Sequence, residues 1–453
     1  MHLPDKTTHR RALLRLAGPN YAGLMSGVVT GIIDVAWVAR LGAGAAAAVA
    51  VATNIENLLL GVILAVSGGL TIVVSGRVGK GDAAGARRAV RAGWLLFAAI
   101  TPIVAGGSFL LRTPIARLFL DDAGAVRLAV AYLAISLPAV VVFYGQWLLD
   151  GLFAGHGDTR TPMRLALLAN GIVLVADPVL IYGLAGFPKL GVAGAALATA
   201  GGRLVAFVVG LVLARRFTRG RVAESVRGDV RAILRVGGPV SGDFLVRMAG
   251  ALGLVAVVGR FGVVAVAGYG IGMKALYVAT MAFYAIRNAA TIHTPRTLAA
   301  IDATNAGEKE TVEAEIRRAT LRVALIAGVV AAVVFAAGSG WILRAFTGDP
   351  AVIDAGSAFL RCVGPYLVGL SGVVAFGGLL MGAGRGTLMF GVTVGGVAGQ
   401  LGLAWLLSSA FGLTGVWAAM GVAALGQLAV LLYAVRPKPR LRLRPATAAD
   451  AWR

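Results

Sequence analysis

The sequence is poor in most of what marks a soluble enzyme. It has one cysteine, Cys362, in 453 residues. No intrachain disulfide can form, and a thiolate-rich metal site is excluded. The four histidines, His2, His9, His156 and His293, are scattered without ligand spacing, and His156 is expected to be a solvated turn residue. No Walker-type glycine loop occurs, so the chain does not itself use ATP. Asp121–Asp122 has no second acidic motif, which argues against a paired-aspartate metal site for prenyl transfer. Charged residues make up only 14% of the chain, against about 25% in a soluble protein.

What is present is hydrophobic. Such residues make up 58% of the chain, and they recur in segments near the ~20 residues needed to span a bilayer. The expected fold class is an all-α polytopic membrane protein. Twelve transmembrane helices are predicted near 12–42, 46–76, 88–111, 125–152, 160–183, 190–216, 229–260, 264–296, 312–338, 350–381, 386–411 and 413–436. The first follows a basic stretch, is too long for a secretory signal and is followed by further spans, so it is expected to be retained.

The net charge of +22 could suggest nucleic acid. The placement of the charges argues otherwise. Thirty of the 42 Lys and Arg fall at the termini and in the even-numbered connections, and eight fall in the odd-numbered ones. Basic loops are kept in the cytoplasm. Both termini are therefore predicted to be cytoplasmic, in a multi-pass protein of the plasma (inner) membrane. The expected partners are the lipid bilayer and small-molecule substrates, with no nucleic acid, and a monomer is expected.

The chain repeats itself. "LRLAGP" at Leu14–Pro19 matches "LRVGGP" at Leu234–Pro239, and the same offset of 220 carries "VARLG" at Val38–Gly42 onto "VGRFG" at Val258–Gly262. "AGHG" at Ala154–Gly157 resembles "AGRG" at Ala383–Gly386, and "GVAG" at Gly191–Gly194 resembles "GLTG" at Gly412–Gly415. Two six-helix halves in the same orientation follow, the parallel kind of transporter repeat. The expected units are a first lobe at 1–214, a cytoplasmic linker at 215–228, a second lobe at 229–436 and a basic tail at 437–453.

Charges inside spans are costly, at least ~2.5–3.5 kcal/mol near the bilayer centre, and need a reason. The acidic ones are Asp34, Glu56, Asp150, Asp177 and Asp243, and four of these five lie in the first half. The basic ones are Arg203, Arg247, Lys274 and Arg287, and three of these four lie in the second. The offset of 220 places Leu254 where the first half has Asp34. A desolvated carboxyl group can bind and release a proton as its exposure changes. Asp34 suits that role, and so does Asp177. Asn170 lies two turns before Asp177 on the same face, and Pro178 disturbs the bond to the Leu174 carbonyl. Together they describe a polar, bent wall. Glu56 and Asp150 lie nearer helix ends, and structural and site roles both remain open for them. Arg247, Lys274 and Arg287 fit pairing with backbone carbonyls or lipid headgroups, or attraction of an anionic substrate.

Four stretches carry a resemblance to a family: "GIIDVAWVARLG" after Pro19, "GRVGKGDAAGARRA" from Gly76, "GHGDTRTPM" from Gly155, and "NGIVLVADPVLIYG" followed by "GVAGAALAT". In this order the chain resembles the multidrug and toxic compound extrusion (MATE) transporters over nearly its whole length, and its first-half acids resemble the DinF-like branch. The resemblance implies two pseudo-symmetric six-helix lobes of the MATE/MOP-type fold. It implies a secondary active exporter, an antiporter and not an enzyme, working by alternating access. Small amphipathic or cationic compounds, drugs and toxins would leave as H⁺, or else Na⁺, enters, with no cofactor beyond that coupling ion. It matches Asp34 and Asp177 to the coupling acids and Thr199 to a sixth-helix threonine. The usual asparagine four residues before Asp177 is Val173 here, which points to a network rewired through Asp150 or Glu56. The counterpart of "GKGD" in the second half is degraded to "NAGE" at Asn305–Glu308. An alternative is a lipid or lipid-linked saccharide flippase of the related superfamily, motivated by the basic second half. A non-transporting membrane scaffold is a third class.

Overall fold

The computed structural model describes residues 6–218, 225–301 and 305–435. Regular structure among them is helical throughout. The first half contains α1 (Lys6–Ala39), α2 (Ala43–Gly79), α3 (Ala83–Leu110), the short α4 (Arg112–Phe119), α5 (Ala123–Gly155), α6 (Arg160–Tyr182) and α7 (Val192–Thr218). The second contains α8 (Arg227–Gly259), α9 (Val263–Ala299), α10 (Ala306–Arg344), α11 (Pro350–Cys362), α12 (Gly364–Gly382) and α13 (Gly386–Ala434). The expected linker lies partly, and the expected tail wholly, outside the described residues.

Eleven of these helices are long and apolar enough to cross a membrane. The twelfth crossing is inside α13. Gly412, at φ 60 and ψ −143, breaks the helix there. A Cβ on Gly415 would then collide with the carbonyl oxygen of Leu407. In a straight helix those residues would be about 12 Å apart, so the two limbs fold back on each other. The tenth crossing, expected as one helix over 350–381, is divided between α11 and α12 at Val363. Pro365 follows the break, and its missing N–H cannot continue the ladder.

Local chemistry sets the helix ends. Asp82, Asp122 and Asp349 cap α3, α5 and α11 by accepting from the backbone N–H of Gly85, Ala125 and Ala351, as short carboxylates at N-caps do. After α5 and α12 the chain leaves through Gly157 (φ 83) and Gly384 (φ 78), where an L side chain is strained.

These details fix the register of the internal repeat. Gly42 (φ 113) and Gly262 (φ 93) precede α2 and α9, 220 positions apart. Asp158 N–H bonds the Phe153 carbonyl at 2.9 Å, and Arg385 N–H bonds the Leu380 carbonyl at 2.7 Å. Gly157 therefore corresponds to Gly384, and the offset here is 227. The sequence match of "AGHG" with "AGRG" is corrected by two residues. Gly151 packs on the Ser67 carbonyl as Gly378 packs on the Arg287 carbonyl, and Gly145 packs on Phe207 as Gly372 packs on Leu428. Gly191 and Gly412 return the offset to 221 on α7 and the second limb of α13. The "NAGE" match also shifts, because Asn305, not Glu308, takes the capping place of Asp82.

The halves meet through α2 with α8 and α1 with α9. A Cβ on Gly237 would collide with the Ala65 carbonyl, and Ser241 donates to the Gly61 carbonyl at 2.6 Å. Ala17 and Ala285, the repeat equivalents of Gly237 and Ala65, share one apolar cluster. Below these crossings, Arg77 and Arg88 reach the buried Asp229 at 2.9 and 3.2 Å. His9 and His293 come within 3.0 Å. These contacts gather at the end that carries the basic connections. Toward the other end the same helix faces are uncovered: Val35 is 50% exposed, Leu58 43%, Leu252 59% and Val278 37%. A cleft open away from the basic end separates the halves.

Candidate functional site

The seam between α1 and α6 carries the first group of candidate residues. Gly23 lets α6 approach, and a Cβ there would touch Met163. Asn170 donates from Nδ2 to Ser26 Oγ at 2.8 Å. Farther along, the Tyr182 hydroxyl donates to the Trp37 carbonyl at 2.7 Å, and the two rings lie edge to face. Between these contacts the carboxyl groups of Asp34 and Asp177 face each other within hydrogen-bonding reach. Asp177 is fully buried, and neither of its oxygens has a donor partner among the described residues. Two carboxyl groups share a hydrogen bond only when one carries a proton. Asn170 is therefore not the partner of Asp177. It clasps α1 to α6, and the partner of Asp177 is Asp34.

Glu56, Tyr132, Ser136, Phe143, Thr199 and Arg203 line a small, partly open cavity between α2, α5 and α7. Arg203 lies over the Phe143 ring, 4.2 Å from its centroid. Tyr132 is buried in the cavity wall and lies in the joint field of Glu56, Arg203, Asp34 and Asp177, while the acid pair itself does not line the cavity. Glu56 and Thr199 belong to its lining. Asp150 does not line the cavity, and it accepts from Gln146 one turn earlier on α5, at 3.1 Å. Tyr132 and Ser136 were missed by sequence reasoning, since isolated hydroxyls in an apolar span carry no motif. Arg203 offered a signal, as a lone cation inside a first-half span.

The repeat shows how specific this region is. Asp34 and Asp177 correspond to Leu254 and Ala404, which are buried. Glu56, Tyr132, Ser136, Thr199 and Arg203 correspond to Leu276, Phe359, Val363, Met420 and Ala424, also buried. The scaffold therefore does not require polar groups at these places. One half fills them with a dry core and the other with ionisable groups.

The second half has its own charged cluster at other positions. Asp243 is fully buried. Its Oδ1 accepts from Arg247 Nε at 3.2 Å and from Thr393 Oγ1 at 2.6 Å. Arg287 Nη2 lies 2.9 Å from Oδ2, and also 3.2 Å from the Met381 sulfur. Two guanidinium groups thus share one carboxylate. Arg247 and Arg287 were expected to meet backbone carbonyls, lipid headgroups or an anionic substrate, and Asp243 is their partner instead. The spacing of Asp243 and Arg247, one helical turn, was the available signal. Lys274, the third cation of this half, stays exposed on α9. His156, expected to be solvated, stacks on Phe217 at 4.0 Å.

Comparison with known proteins agrees with this architecture. A family model described as MatE matches residues 22–179 and 239–406. The chain is 27% identical over 423 residues to a probable multidrug resistance protein NorM of Thermotoga maritima, covering 91% of this chain and 89% of that protein. Among solved structures, a MATE transporter of Vibrio cholerae superimposes with a TM-score of 0.87 at 18% identity, covering 95% of this chain and 97% of the other. A MOP superfamily transporter of Pyrococcus furiosus superimposes with a TM-score of 0.86 at 20% identity, covering 94% and 95%.

Proposed function

Since the chain belongs to the MatE family of membrane transporters, which are not enzymes, we propose that it is a proton-coupled exporter of small amphipathic compounds, drugs and toxins working by alternating access. The observation that carries this reading is the Asp34–Asp177 pair. It couples the buried Asp177 to the half-buried Asp34, an acid pair that the repeat scaffold does not need, held between α1 and α6 without a basic donor among the described residues. A pair of this kind binds a proton when its neighbourhood is dry and releases one when water or a cation reaches it.

In this mechanism the open cleft faces outward and the basic end faces the cytoplasm, in line with the distribution of Lys and Arg. Protonation from outside removes charge repulsion across the α1–α6 seam, lets α1 shift on α6 and releases the substrate. Opening of the contacts at the basic end then exposes the pair inward and lets the proton leave. Glu56, Thr199 and Tyr132 provide the polar route beside the pair, with Arg203 as the internal counter-charge of Glu56. The proton gradient supplies the driving force, including ~2.3 kcal/mol per charge per 100 mV of membrane potential.

Transport in reconstituted vesicles under separately imposed proton and sodium gradients tests the reading. Accumulation that follows the proton gradient alone supports it. Accumulation that follows sodium with the proton gradient collapsed contradicts it.

A further inference from the structure

The cleft between the halves carries one charged wall position that the acid pair does not use. On α9, Lys274 lies eleven residues before Ala285, which is three helical turns and the same face. Ala285 and Ala289 on that face pack against α1 at the basic end. Lys274 therefore points into the cleft where that packing has ended, and it is exposed there. Eleven residues from the start of α9 amount to about 16 Å, close to the middle of a ~30 Å hydrocarbon core. A lipid-facing lysine at that depth would be costly, whereas a wet cleft is compatible with one.

The repeat sets Asn54 of α2 at the equivalent place. Asn54 is also exposed, eleven residues before Ala65 on the face that crosses α8. The other exposed cleft positions on these faces are apolar: Ile32, Val35, Leu58, Leu252, Val255 and Val278. An apolar cleft thus presents a cation from one half and an amide from the other. Behind the cationic wall, the Asp243–Arg247–Arg287 cluster adds a net positive charge. The acids lie on the opposite side, inside the first half.

Building on the exporter reading, we propose that Lys274 binds the anionic group of the transported compound, and that the substrates are amphipathic molecules bearing a carboxylate, sulfonate or phosphate. The apolar body lies on the leucine and valine positions, the anionic group meets the lysine ammonium, and Asn54 offers a neutral hydrogen bond from across the gap. A purely cationic compound meets repulsion from this wall.

Three xanthene dyes of common body test this in purified full-length protein: anionic fluorescein, zwitterionic rhodamine B and cationic rhodamine 6G. Binding is read by fluorescence anisotropy. The wild type should favour fluorescein and rhodamine B over rhodamine 6G. Lys274→Met should weaken fluorescein binding about tenfold, as loss of a charge-assisted contact does, while leaving rhodamine 6G equal or tighter. Lys274→Arg should restore fluorescein binding. Equal affinities for the three dyes, no dye binding, or fluorescein binding indifferent to Lys274→Met would overturn the proposal. Because this readout is binding, it separates from the exporter reading. Lys274-dependent binding without gradient-driven transport would defeat that reading alone, and gradient-driven transport of fluorescein indifferent to Lys274→Met would defeat this inference alone.

Discussion

Asp34 and Asp177 face each other carboxyl to carboxyl across the α1–α6 seam, at places where the other half of the molecule has Leu254 and Ala404. Within each half the same glycine contacts, caps and turns recur. The two interiors differ in chemistry: the first holds acids around a polar cavity, and the second holds a dry core beside an arginine-rich cluster.

That cluster makes a prediction about stability. Asp243 is the only carboxylate bonded to both Arg247 and Arg287 among the described residues. Asp243→Asn leaves the buried Arg287 and the half-buried Arg247 guanidinium groups without an anion, which should cost about 3–5 kcal/mol. Thr393→Val removes one hydrogen bond and should cost about 1 kcal/mol. Thermal unfolding in detergent checks the order. Equal effects would mean that the triad does not hold α8, α9 and α13 together.

Gly237 makes a prediction about conformation. A Cβ there would overlap the Ala65 carbonyl, so Gly237→Ala must push α8 away from α2 at the basic end. Spin-label distances between the halves should lengthen at that end and shorten across the cleft. Unchanged distances would show that this crossing does not hold the cleft open. Gly238→Ala, which has open space around it, serves as the control.

Asp82 gives a pH-dependent prediction outside the membrane. The Gly85 N–H and the Arg77 guanidinium hold its carboxyl below the usual carboxylate range. A depressed carboxylate contributes stability above its unfolded value, about 3.9, and loses it as pH falls through the lower folded value. Asp82→Asn should therefore lower the melting temperature at pH 7 and have a smaller effect at pH 3, shrinking further as pH falls through the folded value. An equal loss at both values would contradict the capping assignment.

The spans were legible because hydropathy reports burial in lipid directly. The repeat was legible where the chains keep the same length, through Gly42 and Gly262. It slipped at Gly157 because inserted residues change the offset from 220 to 227, and the turn that fixes it shows only in the backbone bonds of Asp158 and Arg385. Asp34 and Asp177 stood out as acids in apolar runs. Their pairing did not, because hydropathy carries no information about which helix faces which. For the same reason the place of Asn170 on the Asp177 face did not reveal its partner, Ser26 on α1. Arg287 looked unpaired because its carboxylate lies on another helix, 44 positions earlier. Tyr132 was invisible, since one tyrosine in an apolar helix differs from a core residue only by its neighbours.

The proposed carrier of the coupling proton is the Asp34–Asp177 pair. The most direct test is proton flux into vesicles containing the purified protein, driven by an outward substrate gradient and read by an internal pH-sensitive dye. The wild type should acidify the lumen in proportion to substrate leaving. Asp34→Asn and Asp177→Asn should each abolish that flux while substrate binding in detergent persists. Undiminished substrate-driven proton flux in both variants would contradict the account.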